Sequence, residues 1–293
     1  MITINLKGGL GNQLFQYATG RALSLKNSDI LYLNISTLKS ITSRDTKRFF
    51  SLNFFDYSGV IINDYLISLK KILSVIFGIF FTSIGFKSKI IIEVNGGYSS
   101  DVNSATGDIS LIGYWQSYKY FYNYSNTIFK ELDSHKPLSS SSKSILLNII
   151  KADSVAIHVR RGDYVSLNTA NNFHGSILLD YYINAISIID SKINAPLYFI
   201  FSDDLFWCRE NLSLKPGNFI FVDNNINEDA WQDLILMSYC KHHIIANSSF
   251  SWWGAWMADQ RFGLDRMVFA PKRWFIDAEV NAADRFPPHW VLV

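Results

Sequence analysis

An α/β fold built on parallel sheets is what this 293-residue chain predicts, and three observations predict it. Apolar runs of strand length alternate with helical patterns through the second half, the rhythm that gives a parallel sheet. The amino end shows a related unit, a strand followed by a glycine-rich turn and a helix. Four strand-like runs end in polar clusters, HVRRGD, FSDD, FVDNN and IIANSS, which a doubly wound sheet gathers along its ligand-binding edge.

The elements follow in order. ITINL opens the chain as a strand, GGLGN is the turn, and QLFQYATGRALSLKN carries Leu14, Ala18, Arg21, Ala22 and Leu25 along one helical stripe. ILYLN at 30–34 is the next strand, whereas 40–130 is rich in Phe and Tyr and shows no period that assigns elements. SHKPLSSSSKS at 134–144 is polar, Ser-rich and contains proline. It reads as a linker between an N-terminal domain, 1–140, and a C-terminal domain, 145–293. In the second domain SVAIHV (154–159), PLYFIFSDD (196–204), NFIFVDNN (218–225), HIIANSS and MVFAP (267–271) are strand candidates. Between them lie a helix with Leu179, Ile183, Ile186 and Ile189 on one face, a helix from about Asn227, and an aromatic helix after Ser249.

Composition narrows the function. With 48% hydrophobic and 18% charged residues the chain is globular rather than disordered. A net charge of +2 and no long basic run give nucleic-acid binding no support. The two cysteines, Cys208 and Cys240, have no metal-like spacing and read as core thiols of a reducing compartment. The amino end has no basic leader or apolar signal region, which predicts a cytoplasmic protein. One stretch, ILSVIFGIFFTSIGF at 72–86, is uncharged between lysines. As a helix it spans roughly 22 Å, less than the hydrocarbon core of about 30 Å. A buried helix or strand pair is one reading; a segment lying peripherally on the inner membrane is another, and a true span a third.

The chemistry centres on HVRRGDY at 158–164. Arginine presents a planar fork of donors and stays charged, so Arg160 and Arg161 at a strand end suit a diphosphate. The competing reading is an Arg–Asp pair that braces the fold. Gly162 permits a sharp turn beside a ligand, and His158 shares a strand face with Arg160. Asp163 could fix an arginine or take a proton from an incoming hydroxyl. Asp203 and Asp204 are adjacent, and no Asp-x-Asp pair or HExxH motif occurs, so no metal is expected. The arginines then neutralise the leaving phosphate, and one of the two aspartates is left to accept from a guanine base. Asn247, Ser248, Ser249 and Ser251, beside a helix start, make a phosphate cradle, while Trp252, Trp253 and Trp256 read as core filling. GGLGNQ at 8–13 is not a P-loop; Gly11 belongs to its turn, and Asn12 is either an N-cap or a polar group facing an interdomain cleft.

Together GGLGNQLFQYA, HVRRGDY, FSDD and NSSFSWWGAW, in that order over residues 8 to about 256, resemble the α-1,2-fucosyltransferases of glycosyltransferase family 11. HVRRGDY is also similar to the motif of α-1,6- and protein O-fucosyltransferases. The resemblance implies a GT-B-type fold, two Rossmann-like domains facing across a cleft. It implies metal-independent, inverting transfer of L-fucose from GDP-β-L-fucose to the 2-hydroxyl of a terminal β-galactose in a surface glycan. By that resemblance Arg160 contacts the β-phosphate, His158 and Asp204 lie near the guanine, Ser248 or Ser249 caps the diphosphate, and Asn12 sits near the reacting carbon. The α-1,6 enzymes place a glutamate ten residues after the motif's histidine, where this chain has Asn168. Asp163 is therefore the first candidate base and His174 the second. A lipid-linked acceptor would bring 72–86 to a membrane. Another fucosyl linkage, or a non-catalytic carbohydrate-binding protein using the 15% aromatic content, are the alternatives.

Overall fold

A computed structural model of the chain describes residues 1–38, 48–63, 89–94, 96–133, 135–161, 177–212, 214–225, 227–275 and 282–293. These fall into two compact units: Met1–His135 with Ala283–Arg285, and Lys136–Ala282 with Phe286–Val293. The segment 72–86 lies outside the described residues; among those described, no helix is long and apolar enough to cross a membrane.

The first unit contains β1 (Ile2–Asn5), α1 (Leu10–Asn27), β2 (Leu31–Asn34), β3 (Val60–Ile62), β4 (Lys89–Ile92), α2 (Ser100–Ser104), β5 (Ile109–Ile112) and α3 (Ser125–Asp133). Its sheet has the order β3-β2-β1-β5-β4 with every pair parallel. Central β1 pairs Ile2 with both Leu31 and Ile109 and is buried along its length. Gly8 turns the chain from β1 into α1 at φ +79°, where a Cβ would come within 2.6 Å of the Asn12 amide; only glycine fits there. α1 is buried well beyond the expected stripe, with Phe15, Gln16, Tyr17 and Thr19 also covered. The reason is a second layer over its far side: Gln13 Nε2 donates to the Phe49 carbonyl (2.8 Å), and Arg21 pairs with Glu131 (2.7 Å). The stretch without a readable period therefore supplies three further strands, β3 to β5, each of three or four residues.

The second unit runs α4 (Ser140–Lys151), β6 (Ser154–Val159), α5 (Leu179–Lys192), β7 (Leu197–Ser202), α6 (Leu205–Asn211), β8 (Phe219–Val222), α7 (Ala230–Ser238), β9 (His242–Ile244), α8 (Ser249–Phe262), β10 (Val268–Ala270) and β11 (Val291–Leu292). The sheet order is β11-β10-β9-β6-β7-β8, again all parallel. One face packs Val155, Ile157 and Ile200 against α5; the other packs Ala156, Phe199 and Phe201 against α4 and α7. Burial on both faces explains the unbroken apolar strands.

Two expectations need correcting. The serine run is not wholly a linker: Ser139 caps α4 by accepting from the Ser142 N–H (3.1 Å), so Ser140 to Ser144 are helix. The buried face of α5 is Tyr181, Tyr182, Ala185, Ile186 and Ile189, with Ile183 exposed. The tyrosines bury because their hydroxyls find carbonyls; that of Tyr181 lies 2.7 Å from Ile245 O.

The three tryptophans of α8 are core, at most 3% exposed, with Trp252 and Trp256 stacked at 6.4 Å. Both cysteines are free and buried. Beneath α8 lies a buried charge cluster. Arg266 pairs with Asp259, donates to the carbonyls of Ala255 (3.1 Å) and Lys241 (2.7 Å), and donates to His243 Nδ1. Because arginine only donates, His243 keeps its proton on Nε2 and gives it to Met237 O (2.9 Å). Asp259 also accepts from the Trp290 indole N–H (2.8 Å), tying Trp290 to α8.

Candidate active site

All six strands of the second sheet run the same way, so their carboxyl ends share one edge. β6 and β7 are in register, His158 with Phe201 and Val159 with Ser202. Continuing that register sets Arg160 opposite Asp203 and Arg161 opposite Asp204. The side chains meet accordingly: Arg160 Nη1 lies 2.9 Å from Asp203 Oδ2, and Arg161 Nε 3.3 Å from Asp204 Oδ2. The Arg161 backbone N–H donates to Asp203 Oδ1 (2.8 Å). Asp204 is also the N-cap of α6, accepting from the Trp207 N–H (3.0 Å), while its own N–H donates to Ser202 Oγ (2.9 Å). The Arg161 guanidinium stacks over the Trp207 ring at 4.4 Å.

Each aspartate has an arginine partner: Asp203 clamps Arg160, and Asp204 divides itself between Arg161 and a helix start. The Arg–Asp bracing that competed with a ligand role is thus present. It does not displace that role, because the arginine side chains keep 28% and 22% exposure. Partly exposed pairs of this kind contribute only about 0–1 kcal/mol. Their consequence is orientation: two guanidinium groups are held at the sheet edge by partners an incoming phosphate can replace.

His158 is 6% exposed, and its Nδ1 is hydrogen-bonded to Ser251 Oγ at 2.8 Å. Its carbonyl accepts from the Tyr182 hydroxyl (3.2 Å) and its ring lies 5.8 Å from Phe250. Burial pushes its pKa down to about 4, with Asp203 opposing and Arg160 assisting, so it is neutral at pH 7. α8 begins beside β6, because β9 is the neighbour of β6. Ser248 caps it, accepting from the Phe250 N–H (3.3 Å), and the Ser251 hydroxyl donates to Ser248 O (3.4 Å). Asn247 Nδ2 donates to Trp274 O (3.3 Å), fixing the turn. A 14-residue helix start carrying Ser248 and Ser249 favours an anion.

Asp163 and His174 lie outside the described residues. Gly11 and Asn12 belong to the first unit. Asn12 is inside the first turn of α1 rather than its cap, which is Gly9, and its Oδ1 accepts from Gln116 Nε2 (2.7 Å).

Sequence reasoning missed Trp207, Ser202 and Tyr182, whose roles depend on cross-strand register. It also missed Asp233, in the first turn of α7 on the same sheet edge. Asp233 Oδ1 accepts from Asn225 Nδ2 (2.7 Å), and burial raises its pKa to about 7 against that hydrogen bond. The sequence held only a faint trace of it, an acid one turn after Glu228 and Asp229.

Two parallel α/β units, the second with arginines and a helix start converging on its strand ends, define the class: a GT-B-type fold of two Rossmann-like domains. Solved structures agree on the fold. The α-1,6-fucosyltransferase NodZ soaked with GDP-fucose matches with a TM-score of 0.50 and 14% identity over 87% of this chain and 91% of that one. A FUT1 variant from Arabidopsis thaliana in complex with GDP matches with a TM-score of 0.51 and 11% identity, over 97% and 74%.

Residues 104–293 match the family described as Glycosyl transferase family 11, and the chain belongs to that glycosyltransferase family. It is 34% identical to an alpha-1,2-colitosyltransferase of Escherichia coli over 100% of this chain and 99% of that protein. To the O-antigen biosynthesis glycosyltransferase WbnK of Escherichia coli it is 33% identical over 92% and 93%. To galactoside alpha-(1,2)-fucosyltransferase 2 of Rattus norvegicus it is 23% identical over 88% and 67%.

Proposed function

We propose that this protein transfers L-fucose from GDP-β-L-fucose to the 2-hydroxyl of a terminal β-galactose in a surface glycan, with inversion and without a metal. The observation that carries it is the pair of strand-end arginines, Arg160 held by Asp203 and Arg161 by Asp204, beside the helix start at Ser248. As the sugar–phosphate bond breaks, charge builds on the β-phosphate and the sugar becomes oxocarbenium-like. Arg160 exchanges Asp203 for the phosphate, Arg161 and the Ser248–Ser249 turn hold the diphosphate, and each well-placed donor is worth about 10²–10³ in rate. His158, neutral, supports the base end without placing a second positive charge beside Arg160. Among the described residues no three His, Cys, Asp or Glu side chains converge to hold an ion, and in this proposal the guanidinium groups supply the cationic charge. The base that takes the acceptor proton is Asp163, or in second place His174.

The relatives' names support an α-1,2 linkage and an O-antigen-type glycan. They also favour a second donor: colitose is L-fucose without its 3-hydroxyl, and a relative 34% identical carries that activity in its name. The test is incubation with GDP-fucose and, separately, GDP-colitose, each with a panel of β-galactosides, followed by GDP release and linkage analysis. An α-1,2-fucosylated galactoside is expected. Transfer from GDP-colitose alone would replace the donor, and a different linkage would overturn the acceptor position.

A further inference from the structure

The second unit holds two buried, neutral histidines whose protons sit on opposite ring nitrogens. His243 accepts from Arg266 at Nδ1 and so carries its proton on Nε2. His158 is the reverse case. Its Nδ1 lies 2.8 Å from Ser251 Oγ, and Ser251 Oγ lies 3.4 Å from Ser248 O. A hydroxyl has one hydrogen to give and a carbonyl has none. Both contacts are hydrogen bonds only if Ser251 donates to Ser248 O and accepts from the Nδ1–H of His158. The relay is enclosed: Ser251 is wholly buried, and the Phe250 ring lies 5.8 Å from the imidazole. With the proton on Nδ1, Nε2 is a lone pair. It has no hydrogen-bond partner among the described residues and is not wholly covered. His158 shares its strand face with Arg160, and the charges of Asp203 and Arg160 act on its ring.

We propose that Ser251 is a positioning residue that locks His158 as the Nδ1–H tautomer, so that Nε2 accepts a hydrogen bond from the nucleoside of the donor. This rests on the transferase function proposed above. Which ring nitrogen is protonated follows from the bond the other one makes, and here Ser251 makes that bond. A lone pair is repelled by an ionised phosphate oxygen, so His158 leaves the diphosphate to the arginines. What it can hold is an N–H of the base or a ribose hydroxyl. Ser251 thus acts through His158, and not as a member of the phosphate cradle in which the sequence sets it.

Nitrogen NMR of the protein with isotope-labelled histidine at pH 7 tests this. The His158 signals are assigned by their loss in His158→Asn, and His243 is the reference for the opposite tautomer. His158 is expected to be protonated at Nδ1, and GDP should shift its Nε2 signal. If 2′,3′-dideoxy-GDP shifts it equally, the base supplies the hydrogen; if only GDP does, the ribose supplies it. Ser251→Ala should populate the Nε2–H form. It should also raise the KM for GDP-fucose roughly five- to tenfold, the effect of one lost hydrogen bond, with the acceptor KM held. Protonation at Nε2 in the wild type, or an Nε2 signal that GDP leaves unmoved, overturns the proposal. So does a folded Ser251→Ala whose tautomer or donor KM is unchanged. If Ser251→Ala does not fold, the wild-type spectra decide. If the wild type transfers no fucose, the function proposed above fails separately, and the spectra with and without GDP still decide the role of Ser251.

Discussion

The carboxyl edges of the two sheets differ in kind. On the second, charges face each other in pairs, Arg160 with Asp203 and Arg161 with Asp204. On the first, neutral side-chain amides bond one another and the backbone: Asn5 Nδ2 donates to Leu111 O (3.0 Å), Asn34 Nδ2 to Asn5 Oδ1 (2.9 Å), and Gln116 to Asn12. Both units use the same parallel architecture, so the fold does not dictate the difference. On the proposed function the fixed cations of the second edge serve a diphosphate, and their carboxylate partners keep them satisfied and oriented until it arrives.

The comparison breaks most directly at Arg160. Arg160→Ala should lower transfer by at least ~10²–10³ while the melting temperature stays within a degree or two, because the pair it leaves is partly exposed. Activity near wild type would end the case for the charged edge. A structural counterpart sharpens the contrast between exposed and buried pairs. Asp259→Ala strands Arg266, whose side chain is 2% exposed, and should cost about 3–5 kcal/mol in urea unfolding, far more than any change at the Arg160–Asp203 pair.

Acid should separate the edges next. The folded-state pKa of His158 is about 4, below the roughly 6.5 of an unfolded histidine. Its contribution is therefore complete above pH 6.5 and is lost as pH falls toward 4, on the order of 3 kcal/mol. Burial lowers His243 in the same direction. Urea midpoints between pH 7 and 4.5 should fall steeply in wild type and less so in His158→Asn; parallel curves would exclude His158 as the source. Smaller still, Trp207→Ala removes the platform under Arg161, worth about 0.5–1 kcal/mol, and should raise the donor KM a few-fold without changing the acceptor KM. The smallest expected effect is none: a chelator should leave turnover unchanged, and loss that magnesium restores would reject metal-independent transfer.

Legibility in the sequence followed the same division. The second sheet was readable because β6 and β7 are six-residue strands buried on both faces, which writes unbroken apolar runs. β3 to β5 were not, since three- and four-residue strands such as VII and KIII carry too few residues to show a period. The α5 face was misplaced because its apolar stripe was drawn through Ile183, whereas Tyr181 and Tyr182 are buried with their hydroxyls satisfied inside the core. Arg160 and Arg161 were singled out from residue chemistry at a strand end. Their partners were not, because pairing depends on register between strands some 40 positions apart, which residue types do not encode. Asp259, Arg266 and Trp290 meet for the same reason and were equally invisible.

The most direct measurement is a crystal structure with GDP bound. Arg160 should have left Asp203 and lie within about 3 Å of a β-phosphate oxygen, with the α8 start at Ser248–Ser249 against the diphosphate. A nucleotide bound elsewhere, with Arg160 still on Asp203 and Arg161 still on Asp204, would contradict the role assigned to this edge.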